Sequence, residues 1–364
     1  MSVTESEVRI DIADLSARVR TNDHDVAQWV CRYFGQWWRA GRTLADTIGH
    51  DVDVTARIDP ARFDEIAARV NESDHDTVLY ARKDMRLIRT DGEILGYGED
   101  HVAYAVSGDR VEIVGTDTVT VASAACRLAR EALRGLLAAS GWVLLHASAV
   151  VRDDRAALAF GTKGSGKTAV ALQLVTATGG ALLANDRVFA RANDTGTVTV
   201  APWPAAAAIG FGLLDAADWY DQVAAARDEL HPSTTSAVLD ALAQRDRAPI
   251  RQGNRELKPQ LYPDQLTGLL GIPLATNGTV DVVLFPSIDA TRNPELTEGG
   301  RQIGADDTFS GKEEDRYPNV FDLRTPETDH ASTAVFAALN ALPKLTVALG
   351  HDTRANTDLL GKLS

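Results

Sequence analysis

Apolar residues recur at helical spacing in two segments near the start of the chain. Across Asp23–Ala40, the aromatic residues Trp29, Tyr33 and Trp37 return every four positions, which predicts an amphipathic helix. An aromatic stripe of this kind is more often a packing face than a ligand-binding face, so we expect it to lie in the core. The second segment predicts a shorter helix, Pro60–Val70.

Between Thr77 and Thr120 the pattern changes to short runs rich in β-branched and aromatic residues. Turn sequences such as Ser107-Gly108-Asp109 separate these runs, so the region predicts an antiparallel meander. The predicted strands are Thr77–Ala81, Met85–Arg89, His101–Val106 and Arg110–Val114. A helix, Val121–Ala139, is predicted to follow and to end at Gly141.

The rest of the chain mixes strand and helix patterns. Two strands, Val143–Val151 and Ala156–Phe160, predict a hairpin that leads into a glycine-rich segment. The polar stretch Asp289–Pro326 predicts a surface loop or lid. The other predicted elements are the helices Thr168–Thr178, Leu214–Leu242 (with a break near Pro232) and His330–Leu342, and strands in Ala181–Ala184, Val188–Ala201, Val280–Phe285 and Leu345–Leu349.

This order of elements predicts an α/β fold in which a mixed sheet with flanking helices follows a smaller α+β region. We place the boundary near Gly141. Residues 1–140 then form the N-terminal α+β region, with a substrate-binding or accessory role. Residues 141–364 form the domain that carries the glycine-rich segment.

Composition narrows the class of protein. The 364 residues are 45% hydrophobic and have a formal net charge of -14, without a run of Lys and Arg. This argues against nucleic acid and an anionic membrane as partners. No apolar run approaches the roughly 20 residues that span a bilayer, and the first residues lack an apolar signal core. Cys31 and Cys126 fit small buried hydrophobes, so we expect a reducing cytoplasm.

The glycine-rich segment matches the phosphate-binding pattern G-x-x-x-x-G-K-[ST] at every fixed position. Its glycines let backbone N–H groups turn inward around phosphate oxygens, and the following helix directs its positive end at the same place. Lys167 supplies charge for the β and γ phosphates, and the Thr168 hydroxyl can ligate Mg²⁺. The predicted nucleotide-binding residues are Gly161, Thr162, Lys163, Gly164, Ser165, Gly166, Lys167 and Thr168.

Two further residues are candidates for the chemistry. Asp186 ends the short apolar run that follows the predicted helix, where a carboxylate can hold Mg²⁺ or accept the proton of an attacking hydroxyl. An Asp at a strand end can also simply cap a turn. His146 lies one strand away from the strand that enters the loop, and it is either a catalytic residue or an ordinary core histidine.

The segment from Gly141 to Ala201 resembles the C-terminal catalytic domain of HPr kinase/phosphorylase. The resemblance rests on the strand led by His146, the sequence GTKGSGKTAVALQL, and the sequence LLAND followed by RV. It implies a sheet and helices of the HPr kinase type. The whole chain resembles the stand-alone HPr-kinase-like kinases of peptide and natural-product gene clusters, some of which phosphorylate a Ser of a lasso-type precursor peptide.

The chain departs from that family at one acidic position. The family has an Asp-Asp pair where this chain has Asn185-Asp186, so Asp186 would hold both the base and the metal duty, or His146 would help as base. The phosphorylase signature is not recognisable. We therefore expect a kinase without a strong reverse reaction, and we do not expect HPr as its substrate.

The resulting hypothesis is an ATP- and Mg-dependent kinase that phosphorylates a hydroxyl of a peptide Ser or a small molecule. Arg255 and Lys258 are candidate contacts to the acceptor, although a solvated basic face is the more ordinary explanation for both. Two alternatives stay open: a nucleotide-binding regulator or scaffold without phosphotransfer, and a nucleotide hydrolase coupled to motion. The sequence is also compatible with an oligomer.

Overall fold

The computed structural model describes residues 5–42, 50–81, 83–253, 255–289, 291–309, 318–326 and 328–363. The chain divides into two compact units. The first unit is Met1–Trp142 with Ser310–Thr328, and the second is Val143–Phe309 with Asp329–Ser364. In the part of the chain that is described, no helix has both the length and the apolar character that crossing a membrane requires.

In the first unit, the described strands form one mixed sheet in the order β3-β1-β2-β4-β9-β8-β7-β6-β5. Strands β2, β4 and β9 run parallel to one another, whereas β5 to β9 form an antiparallel meander. The strands are β1 (Ser6–Ile12), β2 (Leu15–Thr21), β3 (Gly41–Arg42), β4 (Val52–Ile58), β5 (Asp76–Tyr80), β6 (Lys83–Thr90), β7 (Glu93–Gly98), β8 (Val102–Ser107) and β9 (Arg110–Gly115). The predicted meander is thus confirmed, with β7 added to the strands that the sequence indicated.

Among the described residues of this unit, three helices cover the sheet: α1 (His24–Phe34), α2 (Pro60–Asn71) and α3 (Thr118–Ala139). The predicted second and third helices are confirmed, and Asp59 caps α2 by accepting a hydrogen bond from the Arg62 N–H. The first prediction was too long. Helix α1 ends at Phe34 because Gly35 adopts a φ of 49°.

Of the predicted aromatic stripe, Trp37 follows the end of α1 and is buried, whereas Trp29 and Tyr33 within α1 are half-buried. The neighbouring Phe34 and Trp38 are also buried. Cys31 is half-buried in α1 and Cys126 is buried in α3, and both thiols are free. Burial raises the pKa of both thiols, as expected for structural rather than reactive cysteines.

In the second unit, the described strands form a second mixed sheet in the order β10-β14-β15-β20-β12-β11-β13, with β22 beside β20 and β21 beside β22. Two described two-stranded sheets lie outside it: β16 pairs with the distant β19, and β17 forms a hairpin with β18. The strands are β10 (Val143–Leu145), β11 (Ala147–Arg152), β12 (Arg155–Phe160), β13 (Ala181–Ala184), β14 (Val188–Ala192), β15 (Val198–Pro202), β16 (Ala207–Ala208), β17 (Ile250–Gln252), β18 (Arg255–Leu257), β19 (Gln260–Leu261), β20 (Gly278–Ile288), β21 (Glu295–Glu298) and β22 (Lys344–Leu349).

The helices of this unit are α4 (Lys167–Thr178), α5 (Phe211–Ala216), α6 (Tyr220–Ala225), α7 (Ser236–Gln244), α8 (Pro263–Gly268), α9 (Asp329–Ala341) and α10 (Thr353–Leu360). Helix α4 contacts β11 and β12, and α9 contacts β14. The long helix expected over Leu214–Leu242 is wrong in extent: α5, α6 and α7 are short helices separated by turns. Asp218 in the first of these turns adopts a φ of 59°.

The predicted strand Val143–Val151 is two strands. It breaks at His146, whose N–H donates to the carbonyl oxygen of Asp307 at 2.7 Å. On one side of the break β10 pairs with β14, and on the other β11 pairs with β12 and β13. The hairpin of β11 and β12 is confirmed, and it turns through Asp153 and Asp154, both at positive φ.

The polar stretch Asp289–Pro326 is more ordered than the predicted surface loop or lid. Strand β21 pairs with β22, and the side chains of Ile303, Phe309 and Phe321 are buried. Residues 290 and 310–317 of this stretch lie outside the described residues. The expectation of a lid stays a prediction only for those residues.

Candidate functional site

Three strands of the second sheet bring the candidate residues to one edge. Strands β12 and β13 both pair antiparallel with β11, which lies between them, so β12 and β13 end where β11 begins. The glycine-rich loop follows the end of β12, and Asn185-Asp186 follows the end of β13. His146 precedes the first residue of β11. The sheet topology therefore gathers segments that are distant in sequence.

The loop between β12 and α4 has glycine at positions where the backbone conformation or the available space disfavours a side chain. Gly164 and Gly166 have φ values of 85° and 99°, in the region that side chains rarely adopt. A Cβ on Gly166 would lie 2.6 Å from the Ile288 side chain, and one on Gly161 would lie 2.4 Å from Ser165 Oγ. The spacing of glycines in the sequence thus corresponds to positions where a side chain is strained or excluded.

Lys167 is the first residue of α4 and is buried. Its Nζ donates to the carbonyl oxygens of Gly161, at 2.7 Å, and Thr162, at 3.2 Å. The ammonium group is therefore folded back over the loop that it follows. The other predicted loop residues surround it: Thr162, Lys163 and Gly164 are exposed, and Thr168 is half-buried.

His146 and Asp186 are in direct contact. His146 Nε2 lies 3.0 Å from Asp186 Oδ1. The histidine side chain is 22% exposed and the carboxylate 52% exposed, so both reach a solvent-accessible edge of the sheet. A histidine in an apolar strand is often a satisfied core residue, but this one pairs with the carboxylate that the sequence singled out.

The environment keeps the Asp186 carboxyl ionised. Partial burial by itself raises its pKa. The hydrogen bond with His146 and the positive charges of His146, Arg187 and Lys167 outweigh that effect, so the pKa lies below its ordinary value. Because an ionised carboxylate only accepts, the His146 Nε2–H donates in this pair. The charge of Lys167 is one of the causes of the lowered pKa, so the ammonium group and the Asp186 carboxylate interact electrostatically.

Arg187 is a site residue to which the sequence analysis gave no role. Its guanidinium lies 3.6 Å from the centroid of the Phe309 ring, and its Nε is 3.6 Å from Asp186 Oδ2. Phe309 also meets the His146 ring edge to face, with centroids 6.3 Å apart. The one signal in the sequence that could have indicated a role for Arg187 is that it directly follows Asp186. The Phe309 contact could not be seen, because it joins residues far apart in the chain.

Two oxygen atoms near these residues are buried and lack a hydrogen-bond partner among the described residues: Ser165 Oγ and Asn185 Oδ1. Ser148 Oγ donates to the backbone carbonyl of Asn185, which fixes the main chain beside the amide. Unsatisfied buried acceptors are uncommon in folded proteins. Thr168 follows the loop after β12, and Asp186 follows β13 at the same edge of the sheet. Their hydroxyl and carboxylate oxygens are of the kind that Mg²⁺ prefers as ligands.

Arg255 and Lys258 lie on a separate small hairpin. Arg255 is the first residue of β18 and is exposed, whereas Lys258 Nζ lies 3.4 Å from Glu256 Oε2. This ion pair ties Lys258 to its own hairpin. The suggested contact of these two residues with an acceptor stays a prediction.

Comparisons with known proteins add little at this distance. No protein-family model matches the chain, and no curated protein matches it. Among solved structures, the chain is similar to the HPr(Ser) kinase/phosphatase from Coxiella burnetii, with 14% identity over 60% of this chain and 87% of that chain. The TM-score of 0.28 is too low for this similarity to indicate a function.

Proposed function

We propose that this protein is a kinase that transfers the γ-phosphate of ATP to a hydroxyl group in the presence of Mg²⁺. The observation that carries the proposal is the arrangement at one sheet edge. There a phosphate-loop sequence leads from β12 into α4, and a hydrogen-bonded His146–Asp186 pair lies within electrostatic reach of Lys167. Phosphoryl transfer needs these parts: a cradle for phosphates, a cation and a carboxylate.

The loop would bind the β and γ phosphates. Backbone N–H groups of a loop with glycines at positive φ form a concave site for anions, and the N-terminus of α4 adds its positive end. Lys167 Nζ would exchange the carbonyl oxygens of Gly161 and Thr162 for phosphate oxygens. An ammonium group gains more from a phosphate than from neutral carbonyls, so nucleotide binding favours this exchange.

Asp186 would act as the general base. The acceptor oxygen attacks the γ-phosphorus, its proton passes to the Asp186 carboxylate, and the bond from the γ-phosphorus to the bridging oxygen breaks to release ADP. His146 holds the carboxylate in place through Nε2–H, and that nitrogen cannot itself accept a proton while it donates. We therefore assign His146 a positioning role.

The oxygen donors fit Mg²⁺. The Thr168 hydroxyl and the Asp186 carboxylate would hold the ion, and the unpartnered Asn185 Oδ1 is a further candidate donor. When bound, Mg²⁺ neutralises charge on the β and γ phosphates. A neutral amide at Asn185 leaves Asp186 as the one carboxylate of the Asn185-Asp186 pair, so it would serve both the ion and the acceptor hydroxyl.

The acceptor we propose is a peptide Ser or a small alcohol, with the first unit in a substrate-binding or accessory role. A second candidate function is a nucleotide-dependent regulator without transfer. The observation that favours it is Asn185, because an amide replaces the second carboxylate of the related pattern. The two functions differ in whether ATP is consumed.

The test is an incubation of the protein with Mg·ATP and a panel of Ser-containing peptides and small alcohols, following ADP and acceptor mass. A gain of one phosphate on an acceptor supports the kinase. Asp186→Asn should lower the transfer rate about 100-fold or more while ATP still binds. Asp194→Asn, an exposed turn aspartate, is the matched control.

Transfer at the wild-type rate in Asp186→Asn would contradict the role of this carboxylate. ATP binding without ADP or phosphorylated product from any acceptor would favour the regulator. ADP without a modified acceptor would indicate hydrolysis.

A further inference from the structure

A segment of the second unit, residues 303–309, pairs with the backbone at the break between β10 and β11. The N–H of His146 donates to the carbonyl oxygen of Asp307 at 2.7 Å, and the N–H of Phe309 donates to the carbonyl oxygen of Leu144 at 2.8 Å. Between these two bonds, Thr308 forms an antiparallel bridge with Leu145. The segment lies in the stretch for which the sequence predicted a surface loop or lid, and it contacts the candidate site directly.

Phe309 connects this segment to both oxygens of the Asp186 carboxylate. Its ring meets the His146 ring edge to face, with centroids 6.3 Å apart, and its centroid lies 3.6 Å from the Arg187 guanidinium. His146 Nε2 lies 3.0 Å from Asp186 Oδ1, and Arg187 Nε lies 3.6 Å from Oδ2. A displacement of Phe309 would therefore disturb two neighbours of the carboxylate at once.

A buried ion pair fixes the end of the segment that touches His146. Asp307 is 5% exposed, and its carboxylate accepts hydrogen bonds from Arg301 Nη1 at 2.7 Å and from Arg301 Nη2 at 2.5 Å. The N–H of Gly304 donates to the same carboxylate at 3.1 Å. Two parallel bonds from one guanidinium fix the direction of a carboxylate as well as its distance. Arg301 thus holds the side chain of Asp307, whose backbone oxygen holds His146.

The start of the segment is anchored to helix α9. The side-chain amide of Asn340 accepts from the N–H of Ile303 and donates to its carbonyl oxygen, both at 2.9 Å. The Arg301 guanidinium lies 5.4 Å from the centroid of the Phe285 ring, which belongs to β20. The segment is therefore anchored by α9 at residue 303 and by the ion pair at residue 307.

We infer that Arg301 and Asp307 are positioning residues for the candidate site. Their ion pair keeps the Asp307 backbone and the Phe309 ring in place, and these in turn keep His146 in its hydrogen bond with Asp186. Neither Arg301 nor Asp307 touches the reacting atoms. The inference concerns the geometry of the His146–Asp186 pair, and only its kinetic consequence rests on the proposed kinase function.

The first measurement is the ¹H–¹⁵N NMR signal of the His146 Nε2–H proton at neutral pH, assigned by its absence in His146→Ala. A proton held in a hydrogen bond exchanges with water only when that bond opens. We expect the signal in the wild type and its loss by exchange in Asp307→Asn and in Arg301→Gln. Arg301→Lys keeps the charge but cannot form two parallel bonds, so it should weaken the signal less than Arg301→Gln does.

Two control variants separate positioning from stability. Asp281→Asn removes the carboxylate that pairs with Arg155, and Arg155 lies at the opposite end of β12 from the glycine-rich loop. Val280→Ala removes buried methyl groups near the same end of the sheet and lowers stability by leaving a cavity. Both variants should keep the His146 signal. Circular dichroism of each variant shows whether it is folded.

The second measurement is the rate of phosphate transfer. Asp307→Asn should lower kcat at least about tenfold and leave the KM for ATP nearly unchanged, because misplaced groups slow the chemical step while the phosphate loop stays intact. If the wild type phosphorylates no acceptor, the proposed kinase function fails, and the NMR comparison alone decides the inference about positioning.

The inference is overturned if the wild type shows no His146 Nε2–H signal, or if folded Arg301→Gln and Asp307→Asn keep it as Asp281→Asn does. An equal loss in Val280→Ala would also overturn it, because the signal would then follow overall stability. If Asp307→Asn does not fold, Phe309→Leu replaces it, since leucine keeps an apolar side chain but removes the ring. A signal and a kcat like those of the wild type in Phe309→Leu would then contradict the inference.

Discussion

The contact between His146 and Asp186 determines the charge state of the carboxylate at the site. Its hydrogen bond is 3.0 Å long, and the positive charges of His146, Arg187 and Lys167 act on the same group. A lowered pKa keeps Asp186 ionised at neutral pH, so the carboxylate can accept a proton or hold a cation without first losing a proton. His146, Arg187 and Lys167 thus act together to keep the carboxylate in its charged form.

We expect His146→Ala to raise the pKa of the Asp186 carboxyl towards its ordinary value, because a hydrogen bond and a positive charge are lost. A ¹³C NMR titration of that carboxyl measures this directly. His231→Ala is the control, since His231 forms its own contact with Ser233. An unchanged Asp186 pKa in His146→Ala would contradict the proposed pairing.

The same shift has a consequence for stability. A carboxyl whose pKa is lower in the folded state stabilises that state above its unfolded-state pKa, and this contribution is lost as pH falls through the folded-state pKa. The difference in free energy of unfolding between wild type and Asp186→Asn should therefore shrink in acid. Urea denaturation at a series of pH values checks it. A difference that grows in acid would show that the pKa is raised instead.

Gly164 lies at a left-handed turn of the glycine-rich loop between β12 and α4. Its φ is 85° and a Cβ there would meet nothing within 4 Å, so substitution tests conformation alone. Gly164→Ala should reduce the free energy of unfolding by about 1–2 kcal/mol. Gly212→Ala, in α5 at ordinary φ and also with open space, should be neutral or stabilising. Equal effects in urea denaturation would contradict the left-handed turn at Gly164.

At the scale of elements, the turn of the β11–β12 hairpin, which leads into the glycine-rich loop, holds residues other than glycine in a left-handed conformation. Asp153 and Asp154 have φ values of 49° and 62°. A two-residue type I′ hairpin turn requires positive φ at both of its central positions. Asp154→Gly should raise the free energy of unfolding by up to about 1 kcal/mol, because glycine adopts such φ without strain. Thermal unfolding of the full chain is the measurement.

Asp194 provides the opposite control for that prediction. It lies in the turn after β14, and its φ is not positive. Asp194→Gly gains no relief of strain and makes the unfolded chain more flexible, so it should be neutral or destabilising. The same sign for both variants would show that the positive φ at Asp154 does not carry the effect.

Elements bounded by strong local signals could be predicted from the sequence. Helix α4 and strand β13 have continuous apolar runs, with Gly179 at a φ of 68° between them. The break between β10 and β11 at His146 could not be predicted from the sequence, because it depends on the pairing of β10 with β14, which lies about 40 residues further along the chain. The sequence analysis did not predict strands β1, β2 and β4. Their apolar residues alternate with charged ones, which is the pattern of a strand with one buried face, so these strands could have been predicted.

At the scale of the whole molecule, the candidate site depends on strand order more than on sequence distance. Strands β12 and β13 end at the same edge of the sheet because both pair antiparallel with β11, which lies between them. Gly161, His146 and Asp186 therefore all lie at this edge. The position of the glycine-rich loop between β12 and α4 could be predicted from a local motif, and its binding of phosphate stays a prediction. The contacts of Asp186 with His146 and Arg187 could be found only in the fold.

Isothermal titration of the full chain with Mg·ATP tests the central claim, that the loop at Gly161–Thr168 binds a nucleotide. We expect one saturable site, whose Kd weakens at least tenfold in Lys167→Met, which corresponds to a loss of about 1.4 kcal/mol of binding free energy. Lys163→Met, the exposed lysine of the same loop, should bind nearly as well as wild type. No binding to the folded wild type, or equal affinity in Lys167→Met, would contradict the account.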